Sequence, residues 1–95
     1  MGQRAERVYT EQRDIARIES WAEQLEDEAH VEVRLADGAM VDGYVTARPT
    51  VQVFRDEGGR EGINALVRID DAAEPGQAHY LWLDRIVDIR RVGTA

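Results

Sequence analysis

The chain has 95 residues and a formal net charge of −7, from 19 acidic residues and 12 basic residues that are all arginine. This length suits one domain, residues 1–95, whose modest core needs no cross-links, and the lack of cysteine excludes disulfides, thiol catalysis and zinc–thiolate sites. No apolar run approaches the roughly 20 residues of a membrane helix and no signal-peptide core opens the chain, so we expect a cytoplasmic protein without membrane association.

An amphipathic helix is predicted for residues 10–29. Thr10 is a suitable N-cap, and Trp21 flanks the apolar stripe, so we predict that its indole packs in the core rather than binding a ligand. The stripe repeats at steps of three and four residues through Ile15, Ile18, Ala22, Leu25 and Ala29.

Carboxylates crowd the second half of this predicted helix, at Glu19, Glu23, Glu26, Asp27 and Glu28. They oppose the negative end of the helix dipole, Glu19 and Glu23 form a like-charge pair four residues apart, and no basic residue lies between Arg17 and Arg34. Each conflict costs only a few tenths of a kcal/mol on an exposed surface. A solvated face is therefore one interpretation, and a docking surface for an arginine- or lysine-rich protein is the other.

Residues 31–45 predict two strands joined by a tight turn. Val31, Val33 and Leu35 alternate with charged residues, as in a half-buried strand. An Asp-Gly pair at residues 37–38 supplies the turn. Gly43 interrupts the second strand, which is typical of a bend in a small barrel.

The second half of the chain is predicted to be β-rich as well. We expect an additional or lengthened hairpin around residues 47–62, a strand ending near residue 70, a loop over 71–78, and final strands at 79–83 and 86–92. Tyr80 and Trp82 share one face of their strand, where they either close the core or stack on bases.

Three segments of the sequence together resemble motifs of the Sm and Sm-like proteins. The first family motif, apolar-x-apolar-x-Leu-x-Asp/Asn-Gly-x-x-apolar-x-Gly, fits residues 31–43; Glu-Gly-Ile-Asn at 61–64 is similar to its Asp-x-apolar-Asn, and residues 80–89 resemble its paired last strands. The likeness covers residues 31–92 and extends to small bacterial proteins described as Sm-like variants. It implies a mainly β fold, a strongly bent antiparallel barrel of five to six strands capped by the N-terminal helix.

The same resemblance implies a candidate RNA-binding site at Glu61, Ile63, Asn64 and Trp82. In the family's second motif an Arg-Gly pair precedes an acidic or amide residue, whereas Trp82 and Leu83 stand at those positions here, so the base-contacting arginine is absent. A net charge of −7 also repels phosphate unless a basic patch gathers locally. Arginines near the two ends of the chain would form such a patch if the fold brought them together; otherwise they are scattered among carboxylates.

The sequence offers little chemistry for catalysis. Ser20, the sole serine, falls inside the predicted helix, and His30 and His79 lack metal-ligand spacing and are predicted to be ordinary strand-end residues. The group Asp70, Asp71 and Glu74 has donors suitable for a hard cation, but such groups arise readily among 19 carboxylates. We predict no enzyme, no metal site and no cofactor.

Two functions remain. The first is a non-catalytic Sm-like binding module, a protein-interaction or regulatory adaptor whose acidic surface docks a basic partner or a second copy. The alternative is a divergent Sm-like RNA-binding protein. We expect a monomer or small homo-oligomer, because the inserted hairpin adds a strand edge near the region that Sm rings use for pairing.

Overall fold

The computed structural model describes residues 3–94, with side chains over 4–93. Its elements in chain order are β1 Gln3–Arg4, α1 Gln12–Gln24, β2 Ala29–Leu35, β3 Met40–Val45, β4 Gln52–Arg55, β5 Glu61–Asn64, β6 Leu66–Asp71, β7 Ala78–Trp82, a 3₁₀ turn at Leu83–Arg85, and β8 Ile86–Thr94.

Five strands form the main sheet in the order β7-β6-β3-β2-β8, and every neighbouring pair is antiparallel. Val31 and Val33 of β2 and Val45 of β3 are almost completely buried, as the period-two pattern predicts. Ile18 of α1 completes this core. A mainly β chain with an N-terminal helix and an antiparallel five-stranded sheet confirms the predicted fold class.

Gly43 permits the close crossing of β3 and β6. A Cβ atom at this position would lie 2.1 Å from the backbone oxygen of Asp70 and 2.8 Å from a methyl group of Ile69. No side chain fits there, because the obstacle is backbone that cannot move without breaking the sheet.

The predicted helix bounds, residues 10–29, are wrong at both ends. The N-cap is Glu11 rather than Thr10, and the helix ends at Gln24, with Leu25 as its C-cap. Glu28 then adopts a positive φ of 65°, and Ala29 belongs to β2, where it pairs with Thr94. Within residues 3–94, no helix is long and apolar enough to cross a membrane.

A second, smaller sheet holds the segment where the sequence predicts an inserted hairpin. β4 and β5 pair antiparallel, with Phe54 opposite Gly62, and the Asp56 carboxylate accepts a hydrogen bond from the Arg60 N–H to close the turn. Phe54 is 1% exposed and meets the ring of Trp82 edge-on, with 5.1 Å between ring centroids. The hairpin therefore packs against the main sheet.

The chain before α1 wraps this hairpin. β1 runs parallel to β4 on one edge, and Tyr9 exchanges two backbone hydrogen bonds with Ile63 on the other edge. The crossing passes Gly62, where a Cβ atom would lie 2.9 Å from the backbone nitrogen and oxygen of Tyr9. Each edge of the hairpin is thereby paired in part, at Phe54 and Arg55 of β4 and at Ile63 of β5, which leaves less of it open to strand addition.

Candidate functional site

The acidic surface comprises Glu19, Glu23, Glu26, Asp27 and Glu28, all exposed. Glu19 and Glu23 lie on α1, whose last turn contains no basic residue. Among the ion pairs formed by residues 4–93, none involves Glu19, Glu23 or Glu28. These three carboxylates therefore face solvent without a compensating cation.

The other two members of the acidic surface have partners that the local sequence does not supply. Glu26 accepts a hydrogen bond from Arg91 of β8 at 2.8 Å and lies 3.9 Å from the guanidinium of Arg48. The Asp27 carboxylate accepts a hydrogen bond from the backbone N–H of Arg48. Exposed ion pairs of this kind contribute only about 0–1 kcal/mol. The surface thus divides into an unpaired part on the helix and a paired part that joins the helix end to β8 and to the chain after β3.

Ile89 and Arg91 of β8 form a shallow groove with Glu23, Gln24 and Glu26 of the helix end. Ile89 is partly buried and packs against the core. A basic side chain entering this groove would meet an apolar contact for its methylene stem and carboxylates for its charged end.

Asn64, the centre of the predicted RNA site, is 1% exposed. Its amide group donates to the backbone oxygen of Arg7 at 2.9 Å and to the carboxylate of Asp84 at 3.0 Å, and its own oxygen accepts from the N–H of Ala65. Both amide hydrogens are used inside the protein, so no donor remains for a base.

The remaining predicted RNA-binding residues serve separate contacts. Glu61 pairs with Arg55 at 2.9 Å, Ile63 is half-buried and hydrogen-bonded to Tyr9, and Trp82 packs on Phe54. Glu61, Ile63 and Asn64 are brought together on β5, while Trp82 lies on β7 of the main sheet. Because Asn64 is buried, the four do not form an open pocket.

A polar network beneath the helix was not predicted from the sequence. The hydroxyl of Tyr9 donates to Asp84 at 2.8 Å, and Asp84 also accepts from Asn64. Burial, followed by the hydrogen bond and negative charge of Asp84, raises the pKa of Tyr9 above its ordinary value. Tyr9 and Asp84 are 75 positions apart, so no local pattern links them.

Each histidine meets one aspartate on the sheet. His30 lies 2.7 Å from Asp42 and stacks on the Tyr44 ring, and His79 lies 2.9 Å from Asp71. Asp71 also accepts the backbone N–H groups of the following loop, so its oxygens already have protein donors. Over the described residues, no three carboxylate or imidazole groups gather as metal ligands would.

The sheet order, the close packing of β3 on β6 at Gly43 and the N-terminal helix fit an Sm-like fold, which suggests a binding module. The chain is similar over 95% of its length to 97% of a protein of known structure, with 42% sequence identity and a TM-score of 0.88; that structure is described as the crystal structure of XC5848 from Xanthomonas campestris, adopting a novel variant of the Sm-like motif. This similarity confirms the predicted resemblance to Sm-like variants.

The chain belongs to the family described as domain of unknown function DUF3247, whose model matches residues 2–92. Comparison with curated proteins found no match. The family is one of unknown function, and the Sm-like fold suggests a β-rich binding module.

Proposed function

We propose that this protein is a non-catalytic adaptor that binds a basic protein partner through the acidic surface. The observation that carries the proposal is that Glu19 and Glu23 lie exposed on α1, in a helix whose last turn has no basic residue, and form no ion pair with any residue of 4–93. We also propose that this activity is cytoplasmic, a location with which a chain without cysteine is compatible.

Cationic side chains of a partner would offset two unfavourable electrostatic interactions in the helix. Glu19 and Glu23 repel each other across one turn, at a cost of about 0.2–0.5 kcal/mol. Glu23 also lies near the negative end of the helix dipole, at a similar cost. Arginine or lysine side chains at this position offset both terms, and charge complementarity accelerates association and selects among partners. The groove beside Ile89 adds an apolar contact.

The test compares two triple variants with the same charge change. Glu19, Glu23 and Glu28 are replaced by Gln in the first, and the exposed Glu11, Glu57 and Glu74 are replaced by Gln in the control. The probe is a fluorescein-labelled decalysine peptide, followed by anisotropy in about 50 and 200 mM salt.

We expect the first variant to lose several-fold more affinity than the control, with a smaller salt dependence and with thermal stability unchanged or slightly raised. Equal affinity of the two variants would mean that the peptide senses only net charge, which would refute the acidic surface as a specific site. Glu26 and Asp27 are left intact, because their bonds to Arg91 and Arg48 are structural.

RNA binding is the alternative function, and the geometry argues against it. Asn64 is buried with its amide fully bonded inside the protein, and Glu61 is paired with Arg55. The residue that favours RNA is Tyr80, exposed beside the guanidinium of Arg68, because an aromatic ring near a cation is a general stacking platform.

A further inference from the structure

The two outer strands of the main sheet differ in how they are protected. On β8, Val87 and Val92 are extra residues without a counterpart on β2, so each forms a β-bulge. Between the bulges lie three charged residues, Asp88, Arg90 and Arg91. Bulges and charges on an outer strand are the usual devices that prevent another strand from adding to it.

β7 has neither device. Its register with β6 is unbroken from Ala78 to Trp82, and the strand Ala-His-Tyr-Leu-Trp contains no carboxylate and no arginine. Tyr80 at its centre is 62% exposed, more than any other large hydrophobic side chain of the described residues. An unprotected apolar strand at the end of a sheet is a template for strand addition.

The backbone of β7 points the necessary groups outward. Two backbone hydrogen bonds flank the β6–β7 ladder, one from the N–H of Leu83 to the C=O of Ala65 and one from the N–H of Asp71 to the C=O of Gln77. Because hydrogen-bonded positions alternate along a strand, the N–H and C=O groups of the odd-numbered residues of β7 face β6. In an antiparallel ladder the alternate residues direct their N–H and C=O groups to the opposite side. The N–H and C=O groups of Ala78 and Tyr80 and the N–H of Trp82 therefore face the open side.

We propose that a second copy of this chain occupies this edge, with the two β7 strands antiparallel about a two-fold axis at Tyr80. The two Tyr80 residues then exchange both backbone hydrogen bonds, and the Trp82 N–H of each copy donates to the Ala78 C=O of the other. His79 lies opposite Leu81, and Ala78 lies opposite Trp82, so the pairing brings no like charges face to face.

The residues around Tyr80 form a surface that would not repel the same surface of a second copy. The guanidinium of Arg68 lies 6.0 Å from the centre of the Tyr80 ring and is neutralised by Asp70. Leu66, 39% exposed, extends the apolar surface on the neighbouring strand. The remaining negative charge of each copy is repulsive at long range but is screened beyond about 8 Å at physiological salt. Added salt should therefore strengthen this dimer, whereas it weakens the binding of a basic partner.

Sedimentation equilibrium tests the pairing, at about 5–500 µM protein and in low and high salt. An interface of one short strand is small, so we expect half-dimerisation at about 10–100 µM. Tyr80→Glu should weaken the dimer at least tenfold, because it places two carboxylates at the axis. The control is Tyr44→Glu, at an exposed tyrosine of the central strand β3, and should leave the association unchanged.

Amide hydrogen exchange on the unmodified protein gives a second measurement that does not depend on the folding of a variant. Protection of the Tyr80 and Trp82 amides should rise with protein concentration, while that of Val87 and Val92 should not. A monomer throughout the concentration range, a ring of six or seven copies, or a dimer that persists in Tyr80→Glu would each overturn the proposal. So would concentration-dependent protection on β8 instead of β7.

Discussion

Asn64 shows how a family motif residue can serve the fold rather than a ligand. Its amide bonds the backbone of Arg7 and the carboxylate of Asp84, and its oxygen accepts the N–H of Ala65. Three segments of the chain therefore meet at one buried side chain: the chain before α1, the β5–β6 connection and the 3₁₀ turn.

Replacing Asn64 by Ala should destabilise the protein by about 2–4 kcal/mol, because buried partners lose their hydrogen bonds and cannot reach water. Urea denaturation followed by tryptophan fluorescence measures this loss. Gln52→Ala is the control, since Gln52 is an exposed amide directly opposite Asn64 in the β4–β5 register, and should cost less than about 0.5 kcal/mol. Unchanged stability in Asn64→Ala would show that the network is not structural.

The limits of sequence reasoning at this scale follow from distance along the chain. The Asn-containing string at residues 61–64 is recognisable locally, but the partners of Asn64 lie 57 and 20 positions away. Gly43 was predicted to mark a bend of a small barrel, and the structure adds the reason that no side chain fits at this position, which is the backbone of Asp70 on the neighbouring strand. The sequence therefore predicted which residues matter better than it predicted what they contact.

At the scale of elements, the end of α1 is the clearest error. Ala29 continues the helical apolar stripe four residues after Leu25, and it also begins the alternation of Val31 and Val33, so one pattern serves both interpretations. Tertiary contacts decide between them, because Ala29 pairs with β8. Asp27, in the turn between α1 and β2, also accepts a hydrogen bond from the N–H of Arg48, which follows β3. Neither contact is visible in the local sequence.

Asp71 accepts hydrogen bonds from the backbone of the loop between β6 and β7. Its titration therefore gives the stability of the protein a predictable dependence on pH. The hydrogen bond from His79, followed by those from the backbone of Glu74 and Ala73, lowers the pKa of Asp71. A carboxylate with a lowered folded pKa contributes stability above its unfolded pKa of about 4, and that contribution is lost as the pH falls through the folded pKa.

We therefore expect Asp71→Asn to melt at a lower temperature than the unmodified protein at pH 7. The difference between the two proteins should shrink as the pH falls from about 5 to 2, because the carboxylate becomes neutral in the unmodified protein as well. Thermal melting followed by circular dichroism measures the difference in melting temperature at pH 7 and its change with pH. Glu74→Gln removes a neighbouring exposed carboxylate and should show no such convergence; a pH-independent difference for Asp71→Asn would contradict the assigned cause.

For the whole molecule, the distribution of charge matters more than its sum. In the described chain, six of the twelve arginines form ion pairs with carboxylates: Arg48 and Arg91 with Glu26, Arg55 with Glu61, Arg68 with Asp70, Arg85 with Glu6, and Arg90 with Glu32. Arg85, Arg90 and Arg91 near the C-terminus are thus paired with separate acidic residues. At these positions a phosphate chain would have to displace carboxylates from the arginines, whereas Arg4, Arg7, Arg13 and Arg17 near the N-terminus form no ion pair among residues 4–93.

Oligouridine should accordingly bind with a dissociation constant weaker than about 10⁻⁵ M at physiological salt, because few phosphates are neutralised and Asn64 has no free donor for a base. Fluorescence anisotropy of a labelled decamer measures this affinity, and oligoadenosine of equal length is the control for phosphate contacts alone. Saturable sub-micromolar binding that prefers uridine would reverse the order of the two functions. A further result would be loss of that binding in Asn64→Ala at a temperature where the variant is folded. The buried amide would then have to become exposed in the complex, which requires the chain before α1 to move away from the β4–β5 hairpin.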